Sequence, residues 1–194
     1  GIKGKVDIDS TYEDISVVDA GKTRITARHA SVRADMVRGG LSAATTYEPV
    51  KVSNIEGDLS IEGNNVRAEV DSVTGGSIRL NTSYEDADVS GFSGRLQAVI
   101  RHGDLVLKPS GLDGGLTVEA EYCNLDLYWP PDGSAPLEAR SKGGEIRWEL
   151  DGKIDHQDSN GTSSLRAFGG SAGAPVSLST TYGDIRIMPG GRSF

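Results

Sequence analysis

The stretch Gly75–Ser90, GGSIRLNTSYEDADVS, decides the fold, because the rest of the chain repeats it with variations. With Gly76 as position zero, apolar or small residues fall at offsets two, four and six: Ile78, Leu80 and Thr82. Tyr84 follows at offset eight, then Ala87 and Val89 at offsets eleven and thirteen. The same frame fits Gly39 (Leu41, Ala43, Thr45, Tyr47, Val50, Val52) and Gly114 (Leu116, Val118, Ala120, Tyr122, Leu125, Leu127). It also fits Gly4, Gly21, Gly57, Gly94, Ala135 and Ala174, and successive starts as far as Ala135 differ by 17–21 residues. Period-two alternation inside a repeat of that length predicts stacked β-coils.

One such coil cannot bury its apolar face alone, whereas stacking sets equal offsets above one another at about 4.8 Å. Turns of the Asn-Gly hairpin type are missing between the paired runs, so each run is expected to pair with its counterpart one coil away. The expected fold is all-β, a single-stranded parallel β-helix (β-solenoid), right-handed as parallel crossovers favour, with about nine rungs of 17–21 residues in one domain over 1–194. This register turns Leu80, Val118, Leu125, Leu127, Ile146 and Leu178 inward and Arg79 and Glu119 outward. The interval from Ala135 to Ala174 is 39 residues, and its part 149–173 is polar and rich in Gly and Ser. That part reads as an exposed excursion, with a degenerate coil through Ile154 and Leu165 as the alternative. A last rung (Val176, Leu178, Thr180, Tyr182, Ile185, Ile187) is then expected to close the array. The chain begins without a methionine and already inside a repeat, which reads as a trimmed or processed piece with no evident N-terminal cap and leaves room upstream for an export signal or anchor.

The composition suits a thin coil: 36% hydrophobic residues and 26 glycines in 194 residues. A net charge of −8 gives a nucleic-acid partner no electrostatic footprint and disfavours a broad anionic membrane contact. Cys123 is the single cysteine and cannot form an internal disulfide. No apolar run approaches the ~18 residues of a membrane-spanning helix.

Three columns carry residue types capable of chemistry. Offset eight reads Tyr12, His29, Tyr47, Asn65, Tyr84, His102, Tyr122, Gly143, Tyr182. It is expected to fill interior space at a corner, with ring tips bonded to backbone, rather than to form a binding strip. Four coils separate His29 from His102, too far for one shared metal ion. Offset ten reads Asp14, Ser31, Pro49, Arg67, Asp86, Asp104, Asn124, Glu145, Asp184. Hard-cation binding competes there with turn chemistry, in which such side chains bond nearby backbone; turn chemistry is the expectation, and no metal or other cofactor is assigned. At offset twelve Arg33 and Lys51 face outward on consecutive rungs, with Arg67 at the adjoining corner and Glu69 and Asp88 following. Arg33, Lys51 and Arg67 form the candidate interaction face, for an anionic glycan or an acidic protein, with Glu48 and Glu69 near enough to neutralise it. Catalytic signatures are lacking: no Gly-x-Ser-x-Gly elbow, phosphate loop or zinc-binding histidine motif.

The recurring TYEDIS, SYEDAD and TYGDIR segments, the run LYWPPDGSAPLEARSKGGEIRW and the closing PVSLSTTYGDIRI together resemble a bacterial family of domains of unknown function labelled adhesins. The resemblance is carried by order and spacing over nearly the whole chain, with Ser134–Arg147 and Thr180–Ile185 matching the family's last two coils. It implies a single-stranded β-solenoid on the outer, extracytoplasmic side of a bacterial membrane, in the cell envelope or secreted, with no catalytic residues to carry over. The expected function is a non-enzymatic interaction or scaffold module for a partner protein or an envelope polysaccharide. A carbohydrate-active enzyme on a β-helix, and a structural solenoid that assembles through its coil ends or edges, stand as alternatives.

Overall fold

The computed structural model describes residues 3–168 and 173–191. Each coil contributes one strand to each of two sheets. The first coils are β1 (Val6–Ser10) with β2 (Ile15–Ala20), β3 (Thr23–Arg28) with β4 (Val32–Arg38), and β5 (Leu41–Thr46) with β6 (Val50–Glu56). Next come β7 (Leu59–Asn64) with β8 (Ala68–Thr74), β9 (Ile78–Ser83) with β10 (Ala87–Phe92), and β11 (Leu96–Arg101) with β12 (Leu105–Lys108). The C-terminal part holds β13 (Leu116–Glu121), β14 (Leu125–Trp129), β15 (Leu137–Lys142), β16 (Ile146–Trp148), β17 (Ile154–Ser159), β18 (Thr162–Ala167), β19 (Val176–Thr181) and β20 (Ile185–Pro189). Odd strands β1 to β13 pair parallel in sequence order in one sheet, and even strands β2 to β14 do so in the other. The fold is therefore an all-β solenoid, with no helix among the described residues.

The offset frame survives in three dimensions. Ala98, Val118 and Leu178 are register partners on neighbouring strands, and Leu105, Leu125 and Ile185 are partners in the second sheet. Leu80, Val118, Leu125, Leu127, Ile146 and Leu178 are all buried, while Arg79 and Glu119 are exposed. Strand residues two apart share a face, so alternating apolar residues in each coil line one continuous interior.

A further inward column lies beyond offset thirteen. Asp19, Met36, Asn54, Ser72 and Gly91 take positive φ between 53° and 67° inside β2, β4, β6, β8 and β10. Each left-handed residue shifts the side-chain phase by one, so Ala20, Val37, Ile55, Val73 and Phe92 turn back into the core. The repeat thus has an added corner within its second strand.

The array does not end in sequence order. β19 inserts between β13 and β15, and β20 inserts between β14 and β16. The coil expected to close the solenoid is interior to it, and the coil from Ala135 lies outside it. The reason is local: β17 and β18 form an antiparallel hairpin that covers the free edge of β15. With that edge taken by β18, the remaining chain occupies the place next to β13. The hairpin turns at Asn160-Gly161, with φ of 50° and 70°, as a two-residue hairpin loop requires. The polar excursion is thus an edge cover rather than a degenerate coil; β17 is exposed throughout, whereas Leu165 and Ala167 of β18 are buried. Trp129, Trp148 and Phe168 gather at the same end, Phe168 lying 5.2 Å from the Trp129 ring and 5.6 Å from the Trp148 ring.

Glycine is required where successive coils touch. A Cβ on Gly76 would strike the backbone of Gly57 and Asp58, and one on Gly183 would run into the Cys123 carbonyl.

Candidate functional site

The column at offset eight is not interior. His29, Tyr47, Asn65, Tyr84, His102, Tyr122, Gly143 and Tyr182 take positive φ of 49–79° and form an outer corner of the coil. The left-handed backbone throws the side chain outward just after the strand that buries offsets two to six. Tyr12, Tyr47, Tyr84, Tyr122 and Tyr182 are 51–76% exposed. Their rings satisfy one another by stacking, not by filling the core. Tyr12, His29 and Tyr47 stack at 5.7 and 4.6 Å between centroids. Tyr84, His102, Tyr122 and Tyr182 stack at 5.0, 5.0 and 5.1 Å. Two ring ladders therefore run along one edge, interrupted at Asn65.

The rung that interrupts the ladder also differs inside. Gly63 stands between Thr45 and Thr82 in register, and a Cβ on Gly63 would meet the Val66 side chain. Val66 is buried at the corner in place of the missing side chain. The Thr45 and Thr82 hydroxyls on either side are buried without hydrogen-bond partners.

The acidic corner at offset ten is a ladder of another kind. The Ser31 amide donates to Asp14 Oδ1 at 2.9 Å and the Asp104 amide to Asp86 Oδ1 at 2.9 Å. The Asn124 amide donates to Asp104 Oδ1 at 3.0 Å, and the Glu145 amide to Asp184 Oδ1 at 2.9 Å. Each side chain thus caps the amide of the next coil, not of its own turn as the sequence suggested. Asp58 does the same at the start of its rung, accepting from the Ser77 amide and hydroxyl at 2.9 Å each.

These bonds favour the carboxylate and fix a pH dependence. Asp14 and Asp58 are held below the ordinary aspartate range, chiefly by the backbone amides of Ser31 and Ser77 and next by the same serines' side chains. A carboxyl with a depressed folded-state pKa stabilises the protein above its unfolded pKa, and that stability is lost as pH falls through the folded value. The melting temperature is expected to stay level from neutrality to about pH 5 and to drop below about pH 4. In a D14N/D58N double variant, which keeps an acceptor oxygen at both places, thermal melts at neutral and acidic pH should lie closer together. An acid-induced drop equal to that of the parent would contradict this origin.

Arg33 and Lys51 are adjacent in register on β4 and β6, and Glu69 follows on β8 and Asp88 on β10. Lys51 Nζ lies 2.7 Å from Glu69 Oε2, and Arg67 Nε lies 3.3 Å from Glu69 Oε1. Arg67 also reaches Asp86 at 3.9 Å. Glu69 therefore serves two of the three candidate cations, and Arg33 forms no ion pair among the described residues. These groups border a shallow groove of about 500 Å3 with Asp35, Asp71 and Ser90. Asp35 accepts from the Asn54 side-chain Nδ2 and the Ser53 hydroxyl, and both bonds hold it below the usual range. Glu69 is likewise lowered, first by its hydrogen bond from Lys51.

Cys123 is buried and donates its thiol to the Glu121 carbonyl at 2.9 Å. Among the described residues, no three His, Cys, Asp or Glu side chains converge as a metal site would need.

Coils paired in parallel on two sheets, caps passed from coil to coil and a ring-stacked outer corner define a single-chain parallel β-solenoid. The chain belongs to the Toastrack DUF4097 family, a domain of unknown function whose family profile matches residues 3–188. Neither the curated proteins nor the solved structures contain a significant match.

Proposed function

We propose that this chain is a non-enzymatic interaction or scaffold module of the bacterial cell envelope, adhesin-like, placed outside the cytoplasm. It binds a partner protein or an envelope polysaccharide along an extended edge instead of in a cavity. The observation that carries this reading is the outer corner of stacked tyrosine and histidine rings. Five tyrosines there are more than half exposed, and the coil beneath is already closed by its buried aliphatic columns. Aligned exposed rings on a rigid frame offer apolar area at little entropic cost, the property that recurs at recognition surfaces. Two carboxylates of the groove beside Arg33 support the non-enzymatic reading. Asp35 and Glu69 are both shifted downward, whereas a general acid needs an upward shift.

A Tyr84→Ser/Tyr122→Ser/Tyr182→Ser variant tests this. It should keep a cooperative melt and lose binding to intact bacterial surfaces or purified envelope polymers. Undiminished binding by the folded variant would overturn the ladder as the contact edge.

The lack of an ion pair at Arg33 among the described residues favours a second reading, with the wall of Arg33, Lys51 and Arg67 as the contact for an anionic polymer. Such binding would weaken with salt, since exposed charges are screened within about 8–10 Å. An R33E/K51E variant would abolish it and leave ladder-dependent binding intact.

A further inference from the structure

Along the outer corner the side chains alternate: Tyr12, His29, Tyr47, Asn65, Tyr84, His102, Tyr122. Every second place lies between two tyrosines. In two of these places an imidazole fills the gap, 4.6–5.7 Å from its neighbours around His29 and 5.0 Å from each neighbour around His102. In the third place stands Asn65, whose amide is shorter than a ring. The Tyr47 amide donates to the Asn64 carbonyl at 3.0 Å and the Asn65 amide to the Ser83 carbonyl at 2.9 Å, so the three residues are stacked in register. Tyr47 and Tyr84 are then two strand spacings apart, about 9.6 Å. One planar group fits between their rings at the distance the histidines keep elsewhere.

The rim of this slot is charged on one side. Glu48 and Glu85 directly follow the two tyrosines, are exposed, and form no ion pair among the described residues. The other side carries Thr46, Asn64 and Ser83, all uncharged, with the Ser83 hydroxyl donating to Asn64 Oδ1 at 2.8 Å. On the histidine rungs a cation, Arg28 or Arg101, precedes the ring where Asn64 precedes Asn65, and Ala30 or Gly103 follows it where Val66 follows Asn65. Arg67, the cation on the Asn65 rung, is paired with Glu69 and Asp86.

We propose that the gap over Asn65 receives the guanidinium of an arginine from a partner protein, stacked between Tyr47 and Tyr84 and paired with Glu48 and Glu85. A guanidinium is flat like the imidazoles in the equivalent places, carries the charge the two carboxylates lack, and lies flat on tyrosine faces as a compact ammonium cannot. The proposal rests on the ladder being the contact edge, and it specifies what one position of that edge reads.

The test is an NMR titration of the whole chain with N-acetyl-arginine amide, its lysine counterpart and a neutral N-acetylglucosamine oligomer. The side-chain protons of the arginine probe, held over the two ring faces, should move upfield, and the ring protons of Tyr47 and Tyr84 should shift while those of Tyr12 and Tyr182 stay in place. The lysine probe should bind about tenfold more weakly, the fold equivalent of one stacked cation contact. Asn65→His, which supplies the missing ring, should keep or raise the melting temperature and abolish the shifts. E48Q/E85Q should weaken them without affecting the fold. Equal response to arginine and lysine, preference for the sugar, no shift at Tyr47 and Tyr84, or an undiminished response in N65H would each overturn the arginine slot. Loss of the slot with surface binding still sensitive to Tyr122 and Tyr182 would reject this inference alone; loss of both would reject the ladder as well.

Discussion

Removing residues 174–194 is expected to abolish cooperative folding, although the cut takes away only the end of the sequence. The excised coil holds Val176, Leu178, Ile185 and Ile187, all buried, and it separates β13 from β15 and β14 from β16. At about 1.5–3 kcal/mol for each fully buried aliphatic side chain, the loss is on the order of 6–12 kcal/mol. That is comparable with the whole stability of a typical domain, about 5–15 kcal/mol. The cut also leaves two pairs of strand edges facing a gap. Taking away residues 1–20 instead removes β1 and β2, whose partners lie on one side only; Val6 and Ile8 are half-buried, and Ile15, Val17 and Ala20 are the buried side chains lost. That shortened chain should melt cooperatively at a lower temperature. Circular dichroism melts of the two truncations decide the matter: a sharp transition near the parental temperature after loss of 174–194 would contradict the inserted coil order.

Val118→Asp should unfold the protein at neutral pH. Val118 is 1% exposed and lies in register between Ala98 and Leu178, with no cation or donor on either side to receive a carboxylate. An unpaired buried charge belongs with the largest single-residue effects, above about 4 kcal/mol. The neighbouring Glu119→Asp change, on the exposed face, should leave urea denaturation within about 0.5 kcal/mol of the parent. A V118D chain with the parental urea midpoint would mean that the register is displaced by one residue, which exchanges the inner and outer faces.

The two strand faces were legible because alternation in a coil has a period of two and few exceptions. Leu80, Val118, Leu125, Leu127, Ile146 and Leu178 follow from that pattern alone. The column of Ala20, Val37, Ile55, Val73 and Phe92 was not legible, since the residue before each is Asp, Met, Asn, Ser or Gly and only the backbone reveals a left-handed turn there. The rings at offset eight were misplaced for the same reason. An aromatic residue continuing an inward series reads as core, until a positive φ turns it out. The hairpin did leave a signal: Ser159-Asn160-Gly161-Thr162 contains the chain's single Asn-Gly dipeptide, a pair that favours a two-residue hairpin loop, within a stretch too polar to show strand alternation. At the candidate faces, the adjacency of Arg33 and Lys51 followed from equal offsets, whereas the sharing of Glu69 by Lys51 and Arg67 depends on how long side chains reach across rungs.

What the sequence determined by itself was a parallel β-solenoid, the register of its two main faces and the corner places of its glycines, aspartates and rings. These are properties of spacing, and spacing is fixed before folding. Tertiary structure alone decided the order of the last coils and the exposure of the ring ladder. Coils of nearly equal length and face are interchangeable as far as pattern goes, so the choice fell to edge pairing: β18 takes the free edge of β15, and the coil of β19 and β20 closes against β13 and β14. The outward turn of the rings is likewise settled by one backbone angle per coil, which no alternation of residue types records.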